Sequence, residues 1–314
     1  MDRSRISGRE SASFEAGRQS LRLYRGPEEP EEVDDVAQVP RTRPRPALFR
    51  ALGPHEPPAV VEIDGETFHR REVFKHDSWA ASGIYASATR QAFCKFNRQQ
   101  PVLVVPMGWL GRHLAARERA FHERLAGIDG IPASLGPVRE AGRILPHALA
   151  RAFVDGHALG AGEWVDDGFF PRFRRLLAEV HARNVAHVDL HKRENILVGA
   201  DGRPHLIDFQ ISFALPRRGR LATLLGGVLR MLQRCDDYHL LKHEWRHRPD
   251  QAGLTADHID TLRPWWIRAH RTIAVPFRTL RRSLLVWLGI RSRTSAGHAW
   301  SEAFPEVAHR RTAA

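Results

Sequence analysis

The sequence predicts an α+β fold in which a small sheet-rich part precedes a larger helical part. Alternating apolar and polar residues, which are typical of strands, occur in "AVVEIDGETFHRREVF" and again in "GIYASATRQAFCKFN". A single helical pattern, "LGRHLAARERAFHERLAGI", follows these strands and ends at Gly130 and Pro132. Beyond about residue 220 the pattern is helical throughout.

Later elements follow the same division. Two short strands are predicted in "GPVREAGRIL" and one in "ALARAFV". The helix "FFPRFRRLLAEVHARNVAH" places Phe173, Leu176, Leu177 and Val180 on one face. The runs "NILV" and "HLIDF" flank the turn-rich "GADGRP", which predicts a hairpin.

Composition and charge restrict the class of protein. The chain has 314 residues and a net charge of +12, which favours anionic partners such as nucleic acid, phosphorylated sugars or an acidic membrane surface. It has 2 cysteines without metal-ligand spacing, so a disulfide framework is not expected and a reducing cytoplasm fits. No apolar run approaches the ~20 residues that span a bilayer, and no signal-peptide core precedes the strands. We expect a cytoplasmic protein, at most peripheral to a membrane.

Four segments are expected. Residues 1–58 contain 8 of the chain's 20 prolines and an acidic run, "EEPEEVDD", which predicts a disordered tail. Residues 59–155 form the sheet-rich part and residues 156–262 the helical part. Residues 263–314 form a basic amphipathic helical extension.

Three oxygen-bearing side chains stand out in "HVDLHKRENILVGADGRPHLIDF". Asp189, Asn195 and Asp208 follow or interrupt apolar runs, where an acidic side chain is costly unless it has a partner or a function. One carboxylate can accept a hydroxyl proton, and an amide with a second carboxylate can hold Mg²⁺. Together these are the minimum for phosphoryl transfer from ATP. The alternative is an ordinary hairpin with capping aspartates.

This stretch resembles the catalytic loop and metal motif of the protein-kinase fold, H-R-D-x-x-x-x-N followed by D-F-G. The resemblance implies a two-lobed fold, a small sheet-rich N-lobe with one helix and a larger helical C-lobe. It also implies ATP as donor, Asp189 as catalytic base, and Asn195 and Asp208 as Mg²⁺ ligands.

The chain departs from the kinase pattern at several positions. Five residues, not four, separate Asp189 from Asn195. Val188 replaces the arginine of H-R-D and Gln210 replaces the glycine of D-F-G. After "DFQISFALP" the chain runs almost directly into a helical pattern, so regulation by a phosphorylated activation segment is not expected.

A kinase also needs a strand lysine for the phosphates and a helix glutamate to orient it. Lys95 in "AFCKFN" alternates with apolar neighbours, although a solvent-facing edge lysine would show the same pattern. Glu118 lies within about 60° of Leu114 on the helix, whereas Glu123 lies about 180° from it. We therefore expect Glu118 to pair with Lys95. Glu163 is too far along the chain to belong to this helix.

The phosphate-covering loop and the interlobe linker are less distinct. No glycine-rich loop is present, and "KHDSWAASGIYAS" occupies its place with Gly83 as its one glycine. Backbone amides from Ser78 to Ser82 are the expected phosphate contacts. The stretch "ARAFVDG" is the expected linker, which makes Phe153 the nucleotide contact there.

Among families with this fold, the chain is most similar to bacterial lipopolysaccharide kinases, through "RERAFHERLAGIDGIPASLG" and "DDYHLLKHEWRHRP". The resemblance implies a sugar or lipid-linked sugar acceptor, and the membrane at which a cytoplasmic protein would make peripheral contact is then the inner membrane. Cations near the site would favour an anionic acceptor, stabilise the transferring phosphate, or form a solvated face. These cations are His191, Lys192, Arg193, Arg217, Arg218 and Arg220.

Two further hypotheses concern partners. The segment 273–293 carries an apolar stripe with arginines on other faces, so it is expected either to contact an anionic membrane or to pack on the large lobe. An atypical protein serine/threonine kinase and a pseudokinase scaffold at the membrane remain alternatives for the function. Nucleic acid is not expected as a partner because no recognition motif is present.

Overall fold

The computed structural model describes residues 47–102, 104–216, 220–262 and 264. It is a mixed α+β structure that begins with a seven-stranded antiparallel sheet, which confirms the predicted class. The strand order is β6-β5-β1-β2-β3-β4-β7. These strands are β1 Val60–Ile63, β2 Glu66–His76, β3 Ala80–Ala86, β4 Gln91–Asn97, β5 Val138–Glu140, β6 Arg143–Ile144 and β7 Ala148–Ala152.

Helix α1, Gly108–Arg124, lies between β4 and β5 in the chain and contacts both β4 and β7. It is the helix that the sequence predicted in this part of the fold. Gly111 lets the helix approach the backbone that follows β4, because a Cβ at this position would lie 2.2 Å from the carbonyl oxygen of Arg98.

The two faces of the sheet differ in chemistry. Strands β4 and β7 pair so that Cys94 is opposite Ala150 and Lys95 is opposite Leu149. Cys94 and Ala150 belong to the buried apolar cluster on one face. Because successive side chains alternate between faces, Lys95 and Leu149 lie on the other face, together with Ser82 of β3, which is opposite Lys95.

The rest of the described chain is mainly helical, with small sheets inserted. Helix α2 covers Phe169–Ala182 and helix α3 covers Arg220–His247. The predicted hairpin is confirmed by β10, Ile196–Gly199, which pairs antiparallel with β11, Pro204–Leu206. The remaining elements are β8 Gly156–Ala158, β9 Val185–Ala186, β12 Phe213–Ala214, α4 Pro249–Ala252 and α5 Ala256–Thr261.

A second apolar cluster forms the core of this helical part. The α2 face that the sequence predicted is buried, with Phe173 and Val180 both fully inaccessible. These side chains pack with residues of β10 and β11 and with Leu190 and Phe209. The stretch from Leu190 to Phe209 is therefore anchored at both ends by the main core of the helical part.

The predicted boundary of the N-terminal tail differs from the structure. Residues 47–58 are folded against the sheet, although the sequence places them in a disordered tail. Ala51 is fully buried, its N–H donates to Asp77 O, and its carbonyl accepts N–H groups from Gln99 and Gln100. The proline content concealed these contacts because they depend on backbone groups. Residues 1–46 and, except for residue 264, the extension 263–314 lie outside the described residues.

Within the described residues, no helix combines the length and the apolar character needed to cross a bilayer.

Gly83 provides a test of the sheet geometry. It lies inside β3, next to the irregular pairing with β2, and a Cβ there would lie 2.3 Å from the backbone oxygen of Glu72. Gly83→Ala is expected to lower the unfolding free energy by about 2 kcal/mol, since backbone must move to admit the methyl group. Urea denaturation measures the change.

Gly227→Ala is the matched control. Gly227 lies in α3 with no atom within 4 Å of its Cβ position, so alanine should raise stability by roughly 0.5–1 kcal/mol through helix propensity. Equal effects of the two substitutions would contradict the close approach of β2 at Gly83.

Candidate functional site

Lys95 lies at the centre of the candidate site. Its Nζ donates to Glu118 Oε2 at 3.0 Å and to Asp208 Oδ1 at 3.0 Å. The Lys95 side chain is 13% exposed, so it is not the solvent-facing edge lysine that the pattern also allowed. Residues from β4, from α1 and from the segment after β11 thus meet at one ammonium group.

Glu118 occupies the position on α1 that helical geometry predicted. Its side chain is buried, as are Ala115 and Phe121 on the same helix, whereas Glu123 is exposed. An acid on an otherwise apolar helix face is costly without a partner, and Lys95 supplies that partner. The choice of Glu118 over Glu123 is therefore confirmed.

The three charges change one another's ionisation. Burial alone would raise the pKa of the Asp208 carboxyl, but the Lys95 ammonium outweighs burial and holds this pKa well below its ordinary value. Burial also lowers the pKa of Lys95, yet the two carboxylates outweigh it and raise the pKa overall. Burial raises the pKa of Glu118, and Lys95 offsets this only in part. At neutral pH Asp208 is ionised and Lys95 is charged.

Asp189 lies in the loop that precedes β10 and is nearly inaccessible. Its carboxylate accepts a bond from Lys192 Nζ at 2.8 Å and lies 3.2 Å from His191 Nδ1. Its backbone oxygen accepts a bond from Asn195 Nδ2 at 3.0 Å. Contacts within this loop, which has one residue more than the kinase pattern, therefore bring Lys192 and His191 to the Asp189 carboxylate.

Asn195 and Asp208 are brought together by the hairpin between them. The N–H of Ile207, the residue before Asp208, donates to the Asn195 carbonyl at 3.0 Å. Because Asn195 Nδ2 is bonded to Asp189, its Oδ1 is the atom suited to a cation. In the described part of the chain, no three His, Cys, Asp or Glu side chains form a metal cluster. Asp208 and Asn195 still fit Mg²⁺, which takes one or two protein oxygens and completes its shell with phosphate and water.

Asp236 holds the turn that precedes Asp189, and the sequence reasoning missed it. Its fully buried carboxylate on α3 accepts the N–H of His187 at 2.7 Å and that of Val188 at 2.9 Å. Val188 has φ 72°, a left-handed conformation that is strained for a β-branched residue. Asp236 thus stabilises a backbone conformation that the chain would not adopt unaided. The available signal was an acid in "QRCDDYHLL", at an inward position of a helix.

Phe209, next to Asp208, is held between two histidine rings. The ring of His187 lies 5.1 Å from it and that of His122 lies 5.6 Å from it, both edge-on. His187 Nε2 lies 2.9 Å from Ile207 O and His122 Nδ1 lies 2.9 Å from Pro132 O, so these nitrogens carry the donated hydrogens. Burial lowers the pKa of His122 to about 4, so the ring is neutral at pH 7.

The segment after Asp208 is tied to the sheet and to α1. Gln210 Nε2 donates to Asn97 Oδ1 at 2.8 Å, and Arg117 Nε donates to Gln210 O at 3.0 Å. Arg117 also donates to Ser212 O. Gln210, which the sequence showed only as a departure from the kinase pattern, therefore fixes the position of Asp208 relative to Lys95.

The three residues predicted to contact the phosphates or the nucleotide lie at three different places in the sheet-rich part. Ser82 is buried on β3 opposite Lys95, on the same face of the sheet. Ser78 lies at the β2–β3 turn, where its Oγ donates to Phe49 O at 3.2 Å. Phe153 follows β7, and its N–H donates to Gln91 O at 3.4 Å. Of these three residues, Ser82 is the one that pairs with Lys95 across neighbouring strands.

The structure describes only some of the six basic residues that were expected around the site. His191 and Lys192 contact Asp189, and the His191 ring lies 5.8 Å from that of His239 on α3. Arg193 lies in the short 3₁₀ helix that leads into β10. Arg217 and Arg218 lie outside the described residues, and of Arg220 only the backbone is described.

Replacing the Asp236 carboxylate tests its role in the loop. Asp236→Asn leaves one acceptor for two backbone donors and turns an amide NH₂ towards one of them. The unfolding free energy should fall by about 2–3 kcal/mol, the size of a lost bond to a buried charged group. Asp237→Asn, next to it with a side chain 62% exposed, is the control. Equal urea midpoints for the two variants would contradict the assigned role.

The neutral His122 ring predicts a pH dependence of stability. Its pKa is about 4 in the fold against 6.5 in the unfolded chain, so acidification protonates the unfolded chain first. Stability from this group is present above pH 6.5 and is lost as the pH falls towards 4, by about 3 kcal/mol in all. His122→Leu should flatten urea-derived stability over that range. His113→Leu, exposed on the same helix, should leave the slope as in the wild type; an unchanged slope in His122→Leu would refute the assignment.

Comparison with known proteins does not assign the chain to a family. No protein-family model matches it, and no curated protein is significantly similar to it. The functional assignment therefore depends on the residues and on the geometry of the site.

Proposed function

We propose that this chain is an ATP- and Mg²⁺-dependent phosphotransferase with a two-lobed protein-kinase-like arrangement. Its acceptor is a hydroxyl of a sugar or a lipid-linked sugar. The observation that carries the proposal is the bonding of the Lys95 ammonium to both Glu118 and Asp208 at 3.0 Å each. Charged groups that a fold brings together in and beside its interior are characteristic of functional sites, because apolar residues would serve stability at least as well.

Lys95 is the group that holds the nucleotide phosphates. Glu118 orients its ammonium from α1, and Ser82 lies opposite it on the neighbouring strand. Phe93, two residues before Lys95, lies on the same face of the sheet as Lys95. Its ring forms part of an apolar wall against which the adenine base of ATP would pack. Leu197, on the strand directly after Asn195, is buried with Val154 and supplies further apolar surface.

Asp208 and Asn195 are the residues that hold the metal. Mg²⁺, when bound, neutralises charge on the phosphates during transfer. Asp208 contributes an ionised carboxylate, because Lys95 keeps its pKa low. Asn195 contributes its amide oxygen, and the bond from its Nδ2 to Asp189 keeps the amide in one orientation.

Asp189 is the group that meets the acceptor. It accepts the hydroxyl proton while the hydroxyl oxygen bonds to the γ-phosphorus and the bond to the β–γ bridging oxygen breaks, which releases ADP. Lys192, 2.8 Å from the Asp189 carboxylate, stabilises that carboxylate and the charge on the transferred group. Catalysis here consists mainly of positioning and charge stabilisation.

The acceptor assignment is supported by charge and by resemblance. Lys192 and the His191 ring lie at Asp189, and the His239 ring adjoins that of His191. An acceptor that carries phosphate or carboxylate groups would find one ammonium and two imidazole groups near its hydroxyl. The sequence resemblance to lipopolysaccharide kinases points to the same acceptor class. A cytoplasmic active site facing the inner membrane is part of this proposal.

A pseudokinase scaffold is the second candidate, and two observations favour it. Both carboxylate oxygens of Asp189 already have neighbours, the Lys192 ammonium and the His191 ring. Ser78, at the turn expected to cover the phosphates, is bonded to Phe49 instead. A scaffold would keep the fold and would not turn over ATP.

Nucleotide binding and turnover are tested separately. ATP with Mg²⁺ should raise the Tm of the wild type, and Asp208→Asn or Glu118→Gln should abolish the rise. Asp189→Asn should retain the rise but reduce phosphate transfer by about 10³-fold, the effect of losing a general base. The transfer assay follows labelled phosphate into lipid, sugar and protein fractions of a cell extract.

Glu123→Gln, exposed on the same helix as Glu118, and Asp201→Asn, exposed in the hairpin turn, are the matched controls. A Tm rise without turnover in the wild type would favour the scaffold. Label in protein alone would favour a protein kinase. No Tm rise and no turnover would refute the proposed function.

A further inference from the structure

Exposed apolar side chains concentrate at one end of the sheet. In the described part of the chain, twelve large hydrophobic residues are exposed, and six of them lie in or beside the segment between β4 and α1. Val104 is 93% exposed, Trp109 57% and Trp79 54%. We call this surface the apolar end patch; its residues are Leu48, Trp79, Val102, Val104, Val105 and Trp109.

Arg98 joins the segments that carry the patch. Its buried guanidinium donates from Nη2 to Leu48 O and Pro101 O, each at 3.0 Å, and from Nη1 to Ser78 O at 2.5 Å. Its backbone N–H donates to Trp79 O at 2.8 Å. The two terminal nitrogens of Arg98 thus bring three separate stretches of chain to the same place, so the patch is a built surface.

The most exposed part of the patch is a closed turn. The N–H groups of Val102 and Val105 each donate to the other residue's carbonyl at 3.0 Å. Because the backbone groups of Val102 and Val105 pair with each other, moving these two residues and Val104 into an apolar medium leaves fewer polar groups unpaired. A groove-filling contact with another protein would instead need a concave partner of matching shape.

Charge around the patch is strongly biased. From Ser78 to Arg117, a stretch of 40 residues, the sequence has no Asp or Glu. Arg112 and His113, one turn along α1 from Trp109, are exposed. The nearby carboxylate of Asp77 is already paired with Lys75 at 2.8 Å.

We propose that the apolar end patch docks peripherally on an anionic lipid bilayer, with Val104 and Val105 inserted at the boundary between headgroups and acyl chains. Apolar side chains, a tryptophan and surrounding cations are the combination that binds such a surface. A second copy of this chain fits less well, because a symmetric contact would place these cations against each other. This inference concerns a surface separate from Lys95 and Asp189 and does not depend on the proposed function.

Vesicle flotation of the full chain tests the docking surface. Vesicles of phosphatidylcholine alone are compared with an equimolar mixture of phosphatidylcholine and phosphatidylglycerol. The wild type should float with the mixed vesicles and much less with phosphatidylcholine alone. Val104→Ser/Val105→Ser should weaken partitioning by about tenfold or more, since two apolar side chains no longer enter the bilayer.

Val60→Ser/Ile144→Ser is the matched control. Both residues are exposed and lie on β1 and β6, away from the β2–β3 turn, so this variant should float like the wild type. Thermal unfolding and the Tm rise with ATP and Mg²⁺ are measured for every variant, which keeps loss of folding or of nucleotide binding separate from loss of docking.

Three outcomes would overturn the proposal. The first is a wild type that does not float with mixed vesicles, or that floats equally with phosphatidylcholine alone. The second is a Val104→Ser/Val105→Ser variant that floats like the wild type, as expected if segment 273–293 alone makes the contact. The third is a wild-type dimer, seen by light scattering, that this variant converts to a monomer.

Discussion

The Lys95 ammonium bonds two carboxylates that come from opposite parts of the chain, and the rest of the site depends on this contact. Glu118 reaches it from α1 and Asp208 from the segment after β11. Removing three charged groups from water is costly, and pairing offsets the cost only when the geometry is good. The contact therefore requires that the sheet, α1 and the helical part hold fixed positions. Hydrogen bonds elsewhere in the chain, made by Asp236, Gln210 and Arg117, hold these parts in place.

These hydrogen bonds fix two segments, the loop that carries Asp189 and the segment that follows Asp208. Asp236 holds the left-handed turn at Val188, and through it the loop that carries Asp189. Gln210 and Arg117 bond the segment after Asp208 to the sheet and to α1. The site is thus assembled by hydrogen bonds within the chain itself, which agrees with the absence of a long activation segment in the sequence. The same helix that presents Glu118 begins at the apolar end patch, so one rigid element connects both surfaces.

The sequence predicted those parts that depend on periodicity. The strand pattern around Lys95 and the angular position of Glu118 on its helix correctly predicted that these two residues pair. Both patterns follow from the geometry of regular elements. The hairpin between Asn195 and Asp208 followed from its turn residues. Periodicity could indicate that Asp236 points inward from its helix, but not what it binds, since its partner is the backbone at Val188, 48 residues earlier in the chain. Contacts such as Gln210 with Asn97, 113 residues apart, and the folding of residues 47–58 through backbone groups, arise only from tertiary packing.

The most direct test of the account is a crystal structure of the chain with Mg²⁺ and a non-hydrolysable ATP analogue. The account predicts phosphate oxygens bonded to Lys95 Nζ, with the metal ligated by Asp208 and Asn195 and the terminal phosphate directed towards Asp189. Glu118 should keep its bond to Lys95 while Asp208 exchanges part of its own for the metal. An analogue bound elsewhere, or a cleft in which Lys95 retains both carboxylates and excludes the phosphates, would contradict it.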